Sequence, residues 1–531
     1  MSWLSNIIKR SDDNEIKALQ TEVDSIKALQ GSTSGHYQHI YTYSYNGEKN
    51  LGEIGPIINY DVDYQAIRAR SWQSYLESEI AQTVLNKFSI WVIGQGLKLQ
   101  AEPEKLTLKS EGIKFDTEEF NDIIEPRFKT WARSNNSDYS QNENFISIQN
   151  MAFKSAIIGG DCLVVQRVKK GRNSVQLIDG CHVQRPPSAA FGRLDNGNEV
   201  INGVEVDSKG NHVAYHVKKR GLENKFERIV AKNPGKSQRM AFLVYGSKYR
   251  LGETRGMPLI ATVLETIKKL ERYKEATVGS AEERQKVAYF LELGVQSTGE
   301  NPLLGQMAAA YNADTPGELP VTNDGKELAD KVAASTNKQT FNLPIDSTMK
   351  ILESKNELYF KDFYSVNINL ICSSIGIPPN VAMSLYDSNY SASRAAIKDW
   401  EHVLRTFRAH FASMFHQPIY NLYLEIQILT NKVQATGYLK ALATGNDYVV
   451  EAYRTARFIG ASVPNIDPVK EVRAEREKLG ELATHLPLTT LEAATEALDS
   501  GDSMSNIRQF EKELKSTILD KKEEPAIEPK N

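Results

Sequence analysis

The chain has 531 residues, enough for more than one domain. Its formal net charge of -3 excludes a generally basic nucleic-acid coat, although not a local basic patch. Its three cysteines, Cys162, Cys181 and Cys372, form no CxxC pair, so they indicate neither a disulfide framework nor a zinc site, and they fit a reducing compartment. No apolar run approaches the roughly 20 residues of a membrane-spanning helix, and the polar start is not that of a secretory signal.

Residues 1–55 are predicted to form an arm outside the folded body. Apolar residues between Ile16 and Ile26 follow an a/d spacing, but this segment is too short for a stable isolated coiled coil. A helix that forms on a partner and a frayed terminus therefore both stay open. Residues 31–55 are rich in Gly, Ser, Tyr and Asn, which indicates an extended, turn-rich segment.

The first folded region is predicted to begin with an amphipathic helical stretch. Apolar residues recur there at helical spacing from Tyr64 to Phe88. The Gly-Gln-Gly run at 94–96 lacks the third glycine of a dinucleotide-binding loop, and a strand-like segment at 98–103 follows it where such a loop needs a helix. The sequence therefore argues against a nucleotide site.

Residues 145–160 predict a helix that ends at a glycine pair and leads into a strand. Asp161 and Cys162 follow these glycines, but no histidine is close in sequence, so a turn aspartate and a buried cysteine are favoured over a nucleophilic site. Alternation and turn residues predict further strands at 175–179, 201–207 and 212–217.

A basic stretch lies between residues 218 and 250, with ten lysines and arginines against Glu223 and Glu227. A solvated loop face explains such a stretch. Contact with nucleic-acid backbone also explains it, because basic side chains attract phosphates without reading sequence. Lys218, Lys219 and Arg220 are the candidates for that contact.

A second long helix is predicted to open at residues 255–259, where Pro258 lies near the first turn and its missing N–H is harmless. Its apolar stripe contains Val263, Ile267 and Leu270, and its opposite face is charged, which is typical of packing among helices.

Residues 291–356 interrupt the helical periodicity and predict an insertion. Short strand-like pieces occur within it at 340–343 and 349–352. The pattern of a helix returns at 360–375.

The Gly-Ile-Pro-Pro run at 376–379 is not expected to be helical, because its prolines remove donors and restrict the residues before them. A loop rich in Ser and Asn follows as far as Arg394. From Ala395 the spacing predicts a long helix with one heavily apolar face, which Pro418 is expected to kink or end.

Beyond Lys432 the chain is predicted to be helical and increasingly charged. Asp467 and Pro468 have the chemistry of an N-cap and a first helical residue. The tail from Lys521 is charged and predicted to be disordered.

Several of these segments, in the same order, resemble the lambda-type family of bacteriophage portal proteins. The resemblance extends over roughly residues 60–515. Where the family commonly has Trp-Ile-Asp-Pro, this chain has Asn465 and Ile466, so its contacts there are expected to differ. The matching motifs are Val-Ile-Gly-Gln-Gly-Leu-Lys-Leu-Gln-Ala at 92–101, the block at 145–185, Gly-Ile-Pro-Pro at 376–379, Asn-Tyr-Ser-Ala-Ser-Arg-Ala-Ala at 389–396 with the Trp400 helix, and Asp-Pro-Val-Lys-Glu at 467–471.

This resemblance implies an α+β portal fold that assembles as a ring, normally of twelve copies. The implied regions are an N-terminal arm (1–55), an α/β wing (56–256), stem helices (257–290 and 357–376), a clip (291–356), a tunnel loop (377–393), a long kinked helix returning to the wing (394–440), a helical crown (441–515) and a disordered tail (516–531).

The implied function is a conduit for double-stranded DNA at one capsid vertex, used in packaging and ejection and without sequence specificity. The implied partners are further copies of the chain, the terminase large subunit, the major capsid and scaffold proteins, and head-completion or connector proteins. The resemblance implies no catalysis, cofactor, metal or membrane. It places the protein in the virion and, during assembly, in the host cytoplasm.

The resemblance also assigns roles to residues. The helix that contains Val263, Ile267 and Leu270 corresponds to a stem helix, whereas in a monomer it would be an amphipathic core helix. Because its stripe has no obvious partner stripe within its own segment, we expect it to pack partly against neighbouring subunits. The tunnel loop would line the narrowest part of the channel, and its small polar side chains offer hydration rather than grip. Its implied lining residues are Asp387, Ser388, Asn389, Tyr390, Ser391 and Arg394.

Two other classes of protein are alternatives to this family. The sequence contains no GxxxxGK[ST], HExxH or GxSxG motif. An uncharacterised soluble hydrolase would have to use the scattered His182, His212 and His216. Another DNA-associated assembly protein is the second alternative, although no helix-turn-helix with a basic recognition helix is evident.

Overall fold

The protein contains both helices and sheets. The described chain divides into two compact units, Met1–Lys268 with Asn367–Asn531, and Lys269–Val366. The predicted arm helix near Ile16 lies outside the described residues, as does the tail. The computed structural model describes residues 42–45, 48–50, 60–169, 171–189, 192–219, 225–233, 238–286, 290–293, 347–350, 360–385, 390–460, 468–480, 488–491, 494–495, 498 and 503–514.

The helices and strands alternate irregularly along the chain. Up to residue 250 they are β1 (Thr42–Tyr45), β2 (Glu48–Asn50), β3 (Tyr60–Asp61), α1 (Tyr64–Glu77), α2 (Glu79–Val92), β4 (Lys98–Ala101), α3 (Lys105–Ser110), α4 (Thr117–Arg133), α5 (Phe145–Gly159), β5 (Asp161–Lys169), β6 (Arg172–Asp179), β7 (Glu199–Ile201), β8 (Val204–Val206), β9 (His212–Lys218), β10 (Phe226–Val230) and β11 (Ala241–Tyr245).

The second half of the chain is mainly helical. Its elements are α6 (Leu264–Lys286), β12 (Phe290–Leu293), β13 (Ser347–Lys350), α7 (Phe360–Ile375), α8 (Pro379–Met383), α9 (Tyr390–Phe411), a π-helix (Ala412–His416), α10 (Gln417–Leu429), α11 (Tyr438–Thr444), α12 (Asp447–Arg454), β14 (Ala456–Ile459), α13 (Pro468–Leu479) and α14 (Ser503–Leu514).

The helical stretch predicted from Tyr64 is two helices, because Ser78 ends α1 and begins α2. The Ser78 N–H donates to the Ser74 carbonyl at 2.9 Å, and its side chain accepts from the Ala81 N–H at 3.4 Å. A serine in this position satisfies backbone groups of both helices, which local periodicity alone does not reveal.

Two antiparallel sheets share one core in the first unit. Their strand orders are β11-β5-β6 and β10-β9-β8-β7. Leu163 and Leu243 from the first sheet belong to the same buried cluster as Tyr215 and Ile229 from the second. The predicted hairpin after α5 is confirmed as β5 and β6, with Leu163 opposite Ile178.

Two local predictions in this region are wrong. The strand predicted at 201–207 is interrupted at Asn202 and Gly203, whose φ values of +48° and +86° form the turn between β7 and β8. Asp161, predicted as a turn residue, is instead the first residue of β5 and is fully buried.

Helix α6 begins at Leu264, later than predicted. The backbone before it is bonded to other segments, because the Met257 N–H donates to Ser247 O at 2.9 Å and the Leu259 N–H donates to Ile157 O at 2.8 Å. These bonds hold the segment against β11 and α5, so it cannot join the helix.

The apolar stripe at the start of α6 is already covered within one chain. Val263, Ile267 and Leu270 are 6%, 2% and 1% exposed. These three side chains are therefore already buried within one chain, and their partial packing against neighbouring subunits stays a prediction. On α7, by contrast, Val366 and Leu370 are 57% and 58% exposed.

The second unit contains a helix, a hairpin and part of a returning helix. Strands β12 and β13 pair antiparallel. The Tyr273 ring of α6 lies 5.7 Å from that of Phe360 and 4.4 Å from that of Phe363 on α7. The predicted returning helix and the later of the two predicted strands are confirmed, while the strand predicted at 340–343 lies outside the described residues.

The segment after α7 is more helical than predicted. Pro379 begins α8, at a position where its missing N–H costs nothing. Helix α9 begins at Tyr390, ahead of the predicted Ala395, because the alanines and Arg394 that follow are good helix formers. Tyr390 and Ser391 therefore lie in a helix rather than in the predicted loop.

The kink expected at Pro418 is a widened helical turn just before it. In the π-helix Ala412–His416, the Gln417 N–H donates to Ala412 O, five residues back. Helix α10 then continues with Pro418 in its first turn. A π-turn accommodates a proline without ending the helix.

One strand occurs in the C-terminal region predicted to be helical. β14 pairs antiparallel with β4, with Arg457 opposite Gln100. Such a short strand takes its conformation from its partner, which lies far away in sequence. Helix α13 begins at Pro468 as predicted, while Asp467 lies outside the described residues.

Candidate functional site

The segment after α7 turns sharply before it enters α8. Gly376 has a φ of +83°, which a side chain would strain, and the Ile377 N–H donates back to Cys372 O at 3.0 Å. Ser384 ends α8 in a left-handed conformation with a φ of +56°. The chain thus enters and leaves α8 through two left-handed residues, which set its direction on both sides.

Helix α2 holds α8 through one lysine. The Lys87 ammonium donates to Val381 O at 3.0 Å and to the Ser384 hydroxyl. A cation at the C-terminal end of a helix is favourable, because unpaired carbonyls converge there. Nothing in the sequence around Lys87 indicates this contact across nearly 300 residues.

The same helix also holds α9. The ring of Trp91 lies 5.0 Å from that of Trp400, and the Phe88 ring lies 4.9 Å from that of Phe407. Arg408 donates to Trp91 O at 2.7 Å and to Val92 O at 3.0 Å. These bonds satisfy carbonyls at the C-terminal end of α2.

Helix α2 therefore contacts α8, directly before residues 386–389, and α9 from Trp400 onwards. We call α8, α2 and residues 400–408 of α9 the loop base. Of the predicted lining residues, Asp387, Ser388 and Asn389 lie outside the described residues. The structure does describe the loop base. Sequence analysis did not predict its contacts at Lys87 and Arg408.

Beyond the π-helix, His416 lies in an aromatic cluster. Its ring is 5.3 Å from that of Phe411, 5.0 Å from that of Phe415 and 4.9 Å from that of Phe458. Complete burial lowers the pKa of His416 to about 3. The imidazole is therefore neutral at physiological pH and acts as a core side chain.

A buried ion cluster connects distant parts of the first unit. Arg255 donates to Asp161 Oδ2 at 2.6 Å and to Oδ1 at 2.7 Å, and Arg68 also donates to this carboxylate. Burial raises the pKa of Asp161, but the two guanidinium charges and the hydrogen bonds from Arg255 and the Gly256 N–H outweigh it and hold the pKa at about 2.

Arg255 also binds three backbone carbonyls around this cluster. It donates to the carbonyls of Gly180 at 2.7 Å, Val183 at 2.9 Å and Asn202 at 2.8 Å. One guanidinium thus joins β5, the turn after β6 and the β7–β8 turn. The cluster is structural, and sequence gave no sign of it because its members are about 90 residues apart.

The structure describes two of the three predicted nucleic-acid contacts, Lys218 and Lys219. Lys219 lies 3.6 Å from Glu227, which also lies 3.7 Å from Arg167. Lys218 ends β9, and Arg220 lies outside the described residues. Part of the basic stretch is thus paired with carboxylates of the same chain.

The histidines of the hydrolase alternative have separate surroundings. His212 Nδ1 lies 3.0 Å from the Tyr215 hydroxyl, and His216 Nε2 lies 3.3 Å from buried Glu205. His182 lies in a 3-10 turn after β6. Within the described ranges, no cluster of three or more His, Cys, Asp or Glu side chains could hold a metal ion.

No helix in those ranges is long and apolar enough to cross a membrane.

Comparisons with known proteins point to one family. Residues 58–408 match the family model described as "Phage portal protein, lambda family". Over 260 residues the chain is 23% identical to a probable portal protein of Halomonas phage phiHAP-1, and the match covers 47% of each chain. It therefore spans about half the length of this curated relative.

Two solved structures of gene transfer agent particles are also similar to this chain. One is the neck of an empty particle, with 8% identity and a TM-score of 0.45, and the other is the virion of the native particle, with 9% identity and a TM-score of 0.43. Each match covers 84% of this chain and 94% of the other.

Proposed function

Because this chain belongs to the lambda family of phage portal proteins, we propose that its copies form a ring at one capsid vertex, around a channel for DNA packaging and ejection. The observation that carries this function is the family match over residues 58–408, which includes all of the second unit, part of the first unit and the loop base. The proposed role is structural, since a conduit positions DNA and partner proteins without breaking a bond in either.

The proposed partners are those that act at such a vertex. They are other copies of the chain, the terminase large subunit, the major capsid and scaffold proteins, and head-completion or connector proteins. Double-stranded DNA passes through the channel without sequence recognition. The protein accordingly resides in the virion, after assembly in the host cytoplasm.

The second unit is the proposed stem and clip. Its order of helix, hairpin and helix agrees with an insertion carried between two stem helices, and the aromatic contact between Tyr273 and Phe363 joins these helices. The first unit would then contain the wing, and the helices after β14 would contribute to the crown.

Residues 386–389, together with the start of α9, are the proposed channel constriction. The helix before this segment contacts α2 at Lys87, and the helix after it contacts α2 at Trp91. Asp387, Ser388 and Asn389 are small and polar, which suits a surface past which a polyanion slides. A surface built for tight binding would carry lysine, arginine and exposed aromatic residues.

The mass of the purified assembly tests the proposed function. Twelve copies of a 59.5 kDa chain give a ring of about 700 kDa. Native mass spectrometry and electron microscopy should show a closed ring with a central channel. A stable monomer or dimer at all concentrations would contradict the proposal and would favour a soluble enzyme.

A further inference from the structure

The outer strands of the two sheets in the first unit differ in whether another segment covers their edge. At β6 the Tyr139 N–H donates to Val175 O at 2.9 Å, and at β7 the Val200 N–H donates to Gly192 O at 2.7 Å. Covering an edge in this way removes a template on which another chain could pair. Strand β10 is the outer strand on the other side of β9.

The hydrogen bonds at the two ends of the β9–β10 pair show which backbone groups of β10 face outward. The Lys219 N–H donates to Lys225 O at 3.0 Å, and the Ala231 N–H donates to Val213 O at 2.8 Å. In an antiparallel pair, residues bonded to the partner strand alternate with residues whose N–H and C=O groups point away from it. The residues of β10 whose backbone groups point away from β9 are Phe226, Arg228 and Val230.

These outward groups form an open edge, because no backbone hydrogen bond reaches them within the described part of the chain. Free charged side chains would discourage another strand from pairing there. On β10, however, the Arg228 guanidinium binds buried Glu205 at 2.7 Å. Glu227 is paired with Lys219, and Val230 offers an apolar side chain that is 38% exposed. An edge of this kind can accept a further strand.

A strand-forming segment lies directly before β1 in the same sequence. Residues 36–41 read His-Tyr-Gln-His-Ile-Tyr, and Tyr37 and Tyr41 continue the alternation of Tyr43 and Tyr45 in β1. Aromatic and β-branched residues in such an alternation favour a strand. In the described pairs, β2 and β3 bind β1 but no earlier residue.

This segment fits the β10 edge in length and in charge. It has six residues, and β10 has five. It contains no Asp, Glu, Lys or Arg, so it places no like charge opposite Arg228 or Glu227. Its tyrosines and Ile40 suit cross-strand contact with Val230, because aromatic and β-branched pairs stabilise neighbouring strands.

We propose that residues 36–41 of a neighbouring copy add a strand to the outer edge of β10. This inference rests on the proposed function, because a closed ring places further copies beside every subunit. Backbone hydrogen bonds give the contact its affinity, and the alternating side chains set its register. The same contact then recurs around the ring, from each N-terminal arm to the next subunit.

Disulfide crosslinking of the assembled full-length protein tests this contact. Val230→Cys would be combined in turn with one further cysteine in the arm. Successive side chains of a strand point to opposite faces, so only alternate arm positions should link to the introduced thiol of β10 and give covalent oligomers on non-reducing gels. The arm substitutions are Tyr37→Cys, Gln38→Cys, His39→Cys, Ile40→Cys and Tyr41→Cys.

Each single-cysteine variant is a control for the native thiols, of which Cys181 is partly exposed and Cys162 and Cys372 are buried. Val230→Pro gives a second measurement, because it removes an N–H that only an added strand would use. It should lower the temperature at which rings dissociate without changing the circular dichroism of the folded chain. Val230→Thr is its matched control, since it keeps both the N–H and the β-branched shape.

Three results in intact rings would overturn the added strand and leave the proposed function standing. They are equal linkage at all five arm positions, linkage only within single chains or at no position, and equal dissociation temperatures for Val230→Pro and Val230→Thr. Failure to form rings, seen by electron microscopy of the wild type, would refute the proposed function and this inference with it.

Discussion

Single buried charges fix the geometry of the first unit. The Asp161 carboxylate is completely buried and receives two guanidinium groups, one from α1 and one from the segment before α6. Space around it is equally restricted, since a Cβ at Gly180 would lie 2.0 Å from Asp161 Oδ1. Such a site tolerates neither an uncompensated charge nor added volume.

Asp161→Asn should destabilise the subunit by about 3–5 kcal/mol, because it leaves buried Arg255 without its counter-charge and leaves Arg68 with only the partly buried Asp179, at 3.6 Å. Chemical denaturation followed by fluorescence would measure this loss. Glu475→Gln removes the partner of half-exposed Lys478 on α13 and should change stability by less than about 1 kcal/mol. Equal effects of the two substitutions would contradict the structural role of the cluster.

His416 should make stability depend on pH in mildly acidic solution. Its folded pKa of about 3 is below the usual histidine value, so the unfolded chain binds a proton that the folded chain does not. Stability from this group is complete above pH 6.5 and falls by about 1.4 kcal/mol for each unit below it, until the pH reaches the folded pKa.

His416→Phe should therefore flatten the unfolding free energy between pH 7 and pH 5, measured by denaturant titration at each pH. His402→Gln is the control, since His402 is exposed on α9. If both variants keep the wild-type pH profile, His416 is not a buried neutral imidazole.

At the scale of elements, α2 is the common anchor of α8 and α9. It presents a lysine to the C-terminal end of α8, aromatic rings to one face of α9, and its own terminal carbonyls to Arg408. Helices α6 and α7 differ in how much apolar surface they leave exposed. The stripe on α6 is covered within the chain, whereas Val366 and Leu370 on α7 remain open.

This difference predicts distinct effects of two aspartates. Ile267→Asp buries a charge within the subunit and should lower stability by several kcal/mol, with loss of folded protein. Leu370→Asp should leave the isolated subunit folded but weaken ring assembly, if the open face of α7 contacts a neighbouring copy in the ring. Circular dichroism would report folding and light scattering would report assembly. A folded Ile267→Asp protein, or full rings of Leu370→Asp with wild-type thermal stability, would contradict this assignment.

At the scale of the whole molecule, the proposed ring multiplies every channel residue by the number of subunits. A single exposed side chain has little influence on passing DNA, but a dozen copies at one constriction form a belt of charge. The side chains at the proposed constriction are small and polar. The loop base holds the helices on either side of it.

Replacing Asp387, Ser388 and Asn389 together by lysine should leave ring assembly intact and slow or block DNA packaging, because each phosphate would meet added positive charge at the constriction. An in-vitro packaging assay on heads that contain the variant would measure the rate. The corresponding triple alanine variant is the control, and electron microscopy would confirm rings for both. Normal packaging by the lysine variant, or failure of its rings to form, would contradict the assignment of this loop.

Local signals in the sequence determined much of the secondary structure and, through ordered motifs, the family. The hairpin of β5 and β6, helix α7 and the start of α13 at Pro468 were all predictable, because helical periodicity, strand alternation and capping residues act between near neighbours in the chain. Helix α8 and the early start of α9 were missed, since proline and serine are ambiguous at helix ends.

Only the tertiary structure decided which distant residues meet. Arg68 and Arg255 reach Asp161 across about 90 residues, β14 becomes a strand by pairing with β4, and Lys87 reaches Val381 across almost 300. Tertiary structure also paired Lys219 with Glu227 and covered Ile267 within its own chain. Pairing and burial are properties of neighbours in space, and a linear pattern carries no record of which residues those neighbours will be.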